Sequence, residues 1–269
     1  MAPESTPARS SPYLSDAVAG ALRDAREKIL LKDVLRYPVP KHLAIIMDGN
    51  RRFALDHGLL VRDGHVRGKD KIEELLDWCL EVGVRILTVY ALSTENLGRP
   101  KEEIEALMDL FASSFRSIAT DARVHKNHIC VRAIGHRERL RPDVQEAIGI
   151  AETATQEYSD YRYNVAIAYG GREEILDAVR LLAKEVAAGR LRPEGIDSEM
   201  ISRHLYTADL PDPDLVFRTS GEERISNFLL WQAAYAELYF ADVLWPGLRK
   251  EDFLRAIRAF QDRQRRYGR

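Results

Sequence analysis

From His42 onward the chain alternates two kinds of segment: short apolar runs rich in β-branched residues, and longer stretches whose apolar residues recur every three or four positions. This alternation constrains the fold more than any other feature. Strands separated by helical connections join one sheet in parallel, and the helices must bury their apolar stripes on its faces. The strand-like runs are HLAIIM at 42–47, RILTVYAL at 85–92, HICVRAI at 128–134, YNVAIAY at 163–169 and DLVFR at 214–218, with a further short strand at 238–240. Helices are expected at 69–82, from Pro100 onward, at 142–157, 172–188, 197–204 and 252–265. Glu102 and Glu103 fall in the first turn after Pro100, where acids suit the helix dipole. The fold class is α/β, a central, mostly parallel sheet flanked by helices.

Ahead of this region, residues 1–12 are rich in Ser, Pro and Ala and read as disordered. Leu14, Val18, Leu22, Ala25, Ile29 and Leu30 give helical spacing over 13–36, and Pro38 and Pro40 mark a linker. The organisation is therefore a disordered segment, helix and linker over 1–40, then one large domain over 41–269. A length of 269 residues supports a sizeable core. The net charge of −2 gives no basic field for nucleic acid. Cys79 and Cys130 sit in apolar patterns and read as core residues, which fits a reducing, cytoplasmic setting. No apolar run reaches transmembrane length, and no secretory signal is visible.

Ligands of open α/β sheets bind beyond the carboxyl ends of the strands, and there the polar sequences cluster. DGNRR at 48–52, STEN at 93–96, GGR at 170–172 and RTSGEERIS at 218–226 each follow a strand. Asp48 is a hard oxygen ligand suited to Mg²⁺. Gly49 and Asn50 can turn backbone N–H groups toward an anion. Arg51, Arg52, Arg218 and Arg224 carry planar forks that match phosphate oxygens, and His65 and Ser226 add donors. Each piece has a plainer reading: DGN as a turn, the arginine pair as a solvated face, STEN as a helix cap, GG as a helix start. PDPD at 211–214 resembles an acidic metal motif, but its prolines favour a turn. LLWQAAYAELYF at 229–240 reads as core or dimer interface. The convergence of four polar segments on one sheet edge favours a Mg²⁺–diphosphate site beside apolar walls, hence a lipid diphosphate. No Walker A, Rossmann, H-E-x-x-H or G-x-S-x-G motif is present, nor the DDxxD of all-helical prenyltransferases.

HLAIIMDGNRRFALDHG, GHVRG, LTVYALSTENLGRPKEEIEALMDLF, NVAIAYGGREEI and PDPDLVFRTSGEERISNFLLWQAAYAELYFADVLWP, in this order, resemble the cis-prenyltransferase family from about Pro40 to the C-terminus. The resemblance implies condensation of isopentenyl diphosphate onto an allylic prenyl diphosphate. It implies Mg²⁺ bound by Asp48 and Glu237, with Asp48, Asn50, Ser93 and Asn96 in catalysis. Gly49, Asn50, Arg51 and Arg52 match the loop that holds the allylic diphosphate and His65 a histidine beside it, Arg218, Arg224 and Ser226 match the isopentenyl diphosphate site, and Phe53 and Arg99, the latter near a mobile loop, join the substrate-binding residues. Glu103 matches a polar position near a mobile loop. Arg266 and Gly268 match a tail that reaches a dimer partner, which implies a homodimer. Ala91 and Tyr161 would line an apolar product tunnel, the first small and the second bulky, implying medium to long products and contact with a membrane surface. Departures are Val61 in place of a frequent arginine, with Arg62 next to it, Phe53 and Leu97 for common tryptophans, and Glu223 for a frequent histidine. Two other readings are a non-catalytic partner subunit, which would tend to lose Asp48 and STEN, and a Mg²⁺-dependent phosphohydrolase using Asp48.

Overall fold

The computed structural model of the chain describes residues 12–267. Its sheet contains six strands in the order β3-β4-β2-β1-β5-β6, and every pairing is parallel. The strands are β1 (His42–Ile46), β2 (Ile86–Ser93), β3 (Ile129–Ile134), β4 (Tyr161–Tyr169), β5 (Leu215–Arg218) and β6 (Glu237–Phe240). The helices are α1 (Pro12–Val34), α2 (Asn50–Asp56), α3 (Val61–Val82), α4 (Lys101–Ile118), α5 (Ala122–Lys126), α6 (Pro142–Thr155), α7 (Gly171–Ala187), α8 (Ser198–Ser202) and α9 (Lys250–Tyr267).

β1 is buried along its length. Leu43 and Ile45 enter a large core with Leu75 of α3, Phe115 of α4, Ile148 of α6 and Phe253 of α9. Ala44 and Ile46 point the other way, into a smaller core with Tyr169, Val216, Phe228 and Leu229. A strand covered on both faces needs apolar residues at successive positions, which is why HLAII reads as an unbroken run. Cys79 and Cys130 are buried free thiols. The chain builds β2, β4 and β3 on one side of β1, then crosses to place β5 and β6 on the other. The reversal lies between β1 and β5, and a crevice opens at such a point.

Helix α1 lies along α9, tied by Lys250–Glu27 at 3.0 Å and Arg258–Asp33 at 3.0 Å. Val34 is fully buried, and Gln261 Nε2 donates to the carbonyls of Val34, Tyr37 and Pro38. The division at residue 40 therefore follows the resemblance in sequence and is no break in packing. The expected disordered stretch 1–12 lies outside the described residues except for Pro12, which begins α1.

Two elements differ from expectation near the sheet edge. DGNRR is not all loop: Gly49, at φ 114°, leads into α2 at Asn50. Helix α3 starts at Val61, eight residues before the expected Lys69. Gly64 and Gly68 lie one turn apart on α3, where α2 crosses it. An added Cβ would stand 2.4 Å from the Asn50 carbonyl oxygen at Gly64 and 2.1 Å from Asn50 Oδ1 at Gly68. Close approach of the two helices needs the glycines, and glycine, histidine and charge interrupt the apolar period by which a helix is read. Among the described residues no helix is long and apolar enough to cross a membrane.

Candidate active site

Asp48 follows β1 and Arg218 ends β5, so the β1–β5 register (Ile46 beside Arg218) brings them together. Arg218 Nη2 donates to Asp48 Oδ2 at 2.7 Å, and Nη1 donates to Ser226 Oγ at 2.7 Å and to the Arg224 carbonyl at 2.5 Å. The Arg52 guanidinium lies 3.7 Å from the same Asp48 oxygen. Burial pushes the Asp48 carboxyl up, but hydrogen bonds from Arg218 and Ser220 and the charges of Arg218 and Arg52 outweigh it and hold the group below the usual carboxylate range. Arg218 is almost completely buried, so its charge is fixed in place before any ligand arrives. The loop that follows β5 holds non-glycine residues at positive φ: Ser220, Ser226, Asn227 and Leu229. Such conformations persist only where the surroundings enforce them.

A second charge cluster faces the first across the cleft. Glu103, in the first turn of α4, accepts from Arg99 Nη1 at 3.0 Å, sits 3.2 Å from His65 Nε2 and pairs with Arg51 at 3.5 Å. Burial lowers the His65 pKa below its ordinary value. Glu103 opposes this, while Arg99 and Arg51 reinforce it. The imidazole is therefore neutral at physiological pH. Asp48, Gly49, Asn50, Arg51, Arg52, His65, Ser93, Asn96, Arg99, Arg218, Arg224 and Ser226 all line one polar cleft, together with Ala91. Met47, Asn50, His65, Ala91 and Leu107 also line a second, largely apolar cavity, so the two spaces share a wall at these residues. That cavity runs beside α3 from Gly68 to Leu80, roughly 18 Å at the rise of a helix.

Some expected members lie elsewhere. Glu237 opens β6 and pairs in register with Leu215, at the opposite end of β5 from Arg218. Its carboxylate takes Arg263 Nη1 at 2.8 Å. It stands roughly 15 Å from Asp48 along the strand direction, at the spacing of strand residues. One copy of the chain therefore does not bring Asp48 and Glu237 to a shared ion, which corrects the expected metal pair within a protomer. Tyr161, at the start of β4, is not among the cavity's lining residues. The Arg85 guanidinium lies 4.6 Å over its ring, and Tyr163, two residues on, reaches the cavity instead. Phe53 stacks on His57 at 4.1 Å and does not line the cleft. Arg62 pairs with Asp63 on the surface. Gly268 lies outside the described residues, as does the Arg266 side chain. The PDPD turn is structural: Asp214 Oδ2 accepts from the backbone of Lys41 and His42.

One residue not singled out from the sequence organises the site. Asn227, at φ 64°, donates through Nδ2 to Glu95 Oε1 at 3.0 Å and Glu173 Oε2 at 3.2 Å, and its Oδ1 accepts from Arg172 N at 2.9 Å. Its carbonyl accepts from Gly171 N at 2.7 Å. One asparagine thus joins STEN, GGR and the loop after β5. The glycines of GGR serve this junction, since a Cβ at Gly170 would meet Glu173, Asn227 and Thr94 within 2.8 Å. Burial raises the Glu95 pKa, but its own backbone N–H, Ser93, Asn227 and Thr94 hydrogen-bond the carboxylate and lower it overall. An asparagine amid polar loop residues, able to take left-handed φ, is the signal that could have marked position 227.

The undecaprenyl diphosphate synthase family model matches residues 46–268. The chain belongs to that family. This cis-prenyltransferase is 56% identical over 243 residues to a tritrans,polycis-undecaprenyl-diphosphate synthase (geranylgeranyl-diphosphate specific) of Methanopyrus kandleri, covering 90% of each chain. It is 54% identical to the enzyme of that description from Pyrococcus horikoshii, covering 91% of this chain and 93% of the other. Among solved structures, the lavandulyl diphosphate synthase of Lavandula x intermedia in complex with dimethylallyl diphosphate aligns with a TM-score of 0.78 and 36% identity, over 83% of this chain and 95% of that one. A probable undecaprenyl diphosphate synthase of Campylobacter jejuni aligns with a TM-score of 0.68 and 36% identity, over 86% and 100%. Like its relatives, the chain is an enzyme that elongates prenyl diphosphates in cis, and it retains Asp48 and STEN, unlike the expected pattern of a non-catalytic partner.

Proposed function

We propose that this cis-prenyltransferase repeatedly condenses isopentenyl diphosphate onto an allylic prenyl diphosphate, and that its primer is geranylgeranyl diphosphate, the substrate named for its relatives. The observation that carries the reading is the shared wall of a polar, arginine-lined cleft and an apolar cavity. One molecule with an anionic head and a hydrocarbon tail fits both.

The allylic diphosphate would meet Gly49, Asn50, Arg51, Arg52, His65 and Arg99. Isopentenyl diphosphate would meet Arg218, Arg224 and Ser226. The allylic C–O bond breaks and its electrons leave with diphosphate, while the arginines stabilise the departing charge. The alkene electrons of isopentenyl diphosphate form the new C–C bond, and loss of a proton from the adjacent carbon sets the cis double bond. Ser93, whose Oγ accepts from Asn96 N at 3.1 Å, and Asn96 are suited to orient that proton's departure.

Mg²⁺ fits this donor set on one condition. Among the described residues no group of three or more acids, histidines or cysteines could cage an ion. Mg²⁺ needs only one or two carboxylates when substrate phosphates and water complete its shell. Asp48, ionised and open to the cleft, would hold it. Bound there, the ion would neutralise diphosphate charge. Tail growth into the cavity contributes about 0.8 kcal/mol per buried methylene, which favours medium to long products.

A homodimer accompanies this reading. Strand β6 is a half-exposed sheet edge, and Tyr235 just before it is 100% exposed. In a dimer, Arg266 and Gly268 would reach the partner's isopentenyl diphosphate site.

The test is incubation with labelled isopentenyl diphosphate and primers of different length, with chromatography of the extracted products. Labelled polyprenyl chains that depend on primer and Mg²⁺, formed fastest with geranylgeranyl diphosphate, are expected. Release of diphosphate from the primer without isopentenyl diphosphate would instead favour a phosphohydrolase.

A further inference from the structure

The apolar cavity is not walled by hydrocarbon on every side. Where the middle of α3 faces the α4–α5 corner, Glu73, Asp77, Asp121 and Arg123 belong to its lining. Arg123 is the centre of this seam. Its Nη2 donates to Glu73 Oε2 at 3.1 Å and to Asp121 Oδ2 at 3.1 Å. Its Nη1 donates to the Glu73 carbonyl at 3.2 Å and to Asp77 Oδ2 at 3.4 Å. Asp121 also caps α5 by accepting from Arg123 N at 2.7 Å. Lys69 extends the row by pairing with Glu73 and with Asp70. The Arg123 side chain is 34% exposed, so here the cavity is separated from solvent by one planar cation and its carboxylates.

We infer that Arg123 latches a side mouth of the cavity and thereby limits how far the product chain grows, making it a specificity-determining residue for product length. The inference rests on the reading that the cavity receives the growing tail. Each condensation adds its unit at the diphosphate end, in the cleft, so the far end of the tail is pushed along α3. A tail that reaches Arg123 must displace the guanidinium and leave Glu73, Asp77 and Asp121 facing hydrocarbon, or stop. Carboxylates stripped of their partner beside an apolar group are strongly disfavoured. Chains that fit short of the seam meet no such obstacle. The fork geometry matters, because one guanidinium spans α3 and the α5 cap at once and a lysine would not.

The test uses two variants that open the latch from opposite sides, Arg123→Ala and the pair Glu73→Gln with Asp77→Asn. Both are expected to keep the rate of the first condensation and to shift the longest major product up by at least one isoprenoid unit, with Arg123→Lys in between. A purely structural staple would lower the melting temperature and leave product length unchanged. Wild-type product lengths from both variants, at normal first-condensation rates, would overturn the inference. A second measurement is independent of the reaction: the affinity of saturated alkyl diphosphates of increasing length. In the wild type it should level off at a length beyond which it keeps rising in Arg123→Ala. The same plateau in both proteins would overturn the latch. Should no condensation occur in any protein, the functional reading fails, and the alkyl series still decides the latch.

Discussion

Arg218 Nη2 donates to Asp48 Oδ2 at 2.7 Å, joining residues 170 positions apart. Arg218 is 4% exposed in its side chain and Asp48 32%, so the pair has a buried cation and an open anion. The arginine is held by Ser226 and the Arg224 carbonyl as well, and the carboxylate is the member left accessible to a ligand.

Asp48→Asn should therefore act on chemistry more than on folding. The amide oxygen can still accept from Arg218, but the charge that would hold Mg²⁺ is gone. We expect kcat/KM to fall by about 10²–10³, the usual effect of losing one electrostatic group in an active site. Asp48→Ala should lose at least as much activity and destabilise by a further ~1–3 kcal/mol, because Arg218 loses a buried partner. Steady-state kinetics with thermal melts check this, and near-normal turnover in either variant would sink the assignment of Asp48.

Ala91 lines both the cleft and the apolar cavity. Enlarging it to leucine should narrow the passage between them. Shorter products are expected, with the first condensation less affected than later ones, since overpacking resists the thicker occupant. Chromatography of the product mixture checks it; an unchanged length distribution would remove Ala91 from the passage.

Asn227→Asp should loosen the junction of three loops. Aspartate tolerates the left-handed backbone and keeps the acceptor for Arg172 N, but loses the donor to Glu95 and Glu173 and adds a third carboxylate beside them. We expect kcat/KM for isopentenyl diphosphate to drop by roughly 10–100-fold, in line with other outer-layer positioning contacts. Adding Glu95→Gln should recover part of the loss. A double-mutant cycle measures the coupling, and strictly additive effects would rule it out.

The largely buried His65 ring has a lowered pKa, with Glu103 of α4, Arg99 ahead of α4 and Arg51 of α2 as the charges facing it. Above its unfolded value of about 6.5 the ring is neutral in both states. As pH falls below that, the unfolded chain takes up the proton first. Stability drops until the folded ring titrates too, with a slope of at most about 1.4 kcal/mol per pH unit from this group. His42, also buried with a lowered pKa, contributes in the same sense. Urea unfolding between pH 7.5 and 5 should show a shallower decline for His65→Gln than for the wild type; equal slopes would mean that His65 is not the linked group.

The strands were legible because a parallel sheet covered on both sides demands continuous β-branched runs, and HLAII, LVFR and NVAIAY meet that demand. Asp48, Arg218 and STEN were legible because polar residues directly after such runs must emerge at one edge. Glu237 was not, since its level in the sheet depends on the register of β6 against β5, which no local pattern encodes. That Tyr163 and not Tyr161 reaches the cavity was hidden for a related reason: both belong to β4, and only the packing of α3, α4 and β3 decides where the cavity ends. Helix α3 hid its first turns because Gly64 and Gly68 are there for α2, and the gathering of Arg51, His65 and Arg99 by Glu103 depends on how α4 approaches α2 and α3.

The pairing of β5 beside β1 has a consequence for how the molecule comes into being. Asp48 leaves the ribosome early, and Arg218 follows only after most of the chain has been made. Until β5 docks, nothing in the nascent protein has a complete seat for a diphosphate, so a C-terminally truncated polypeptide would carry the acid but not its buried cation. Contacts of such long sequence separation form slowly. A substrate that binds only the finished sheet would favour its completion by mass action.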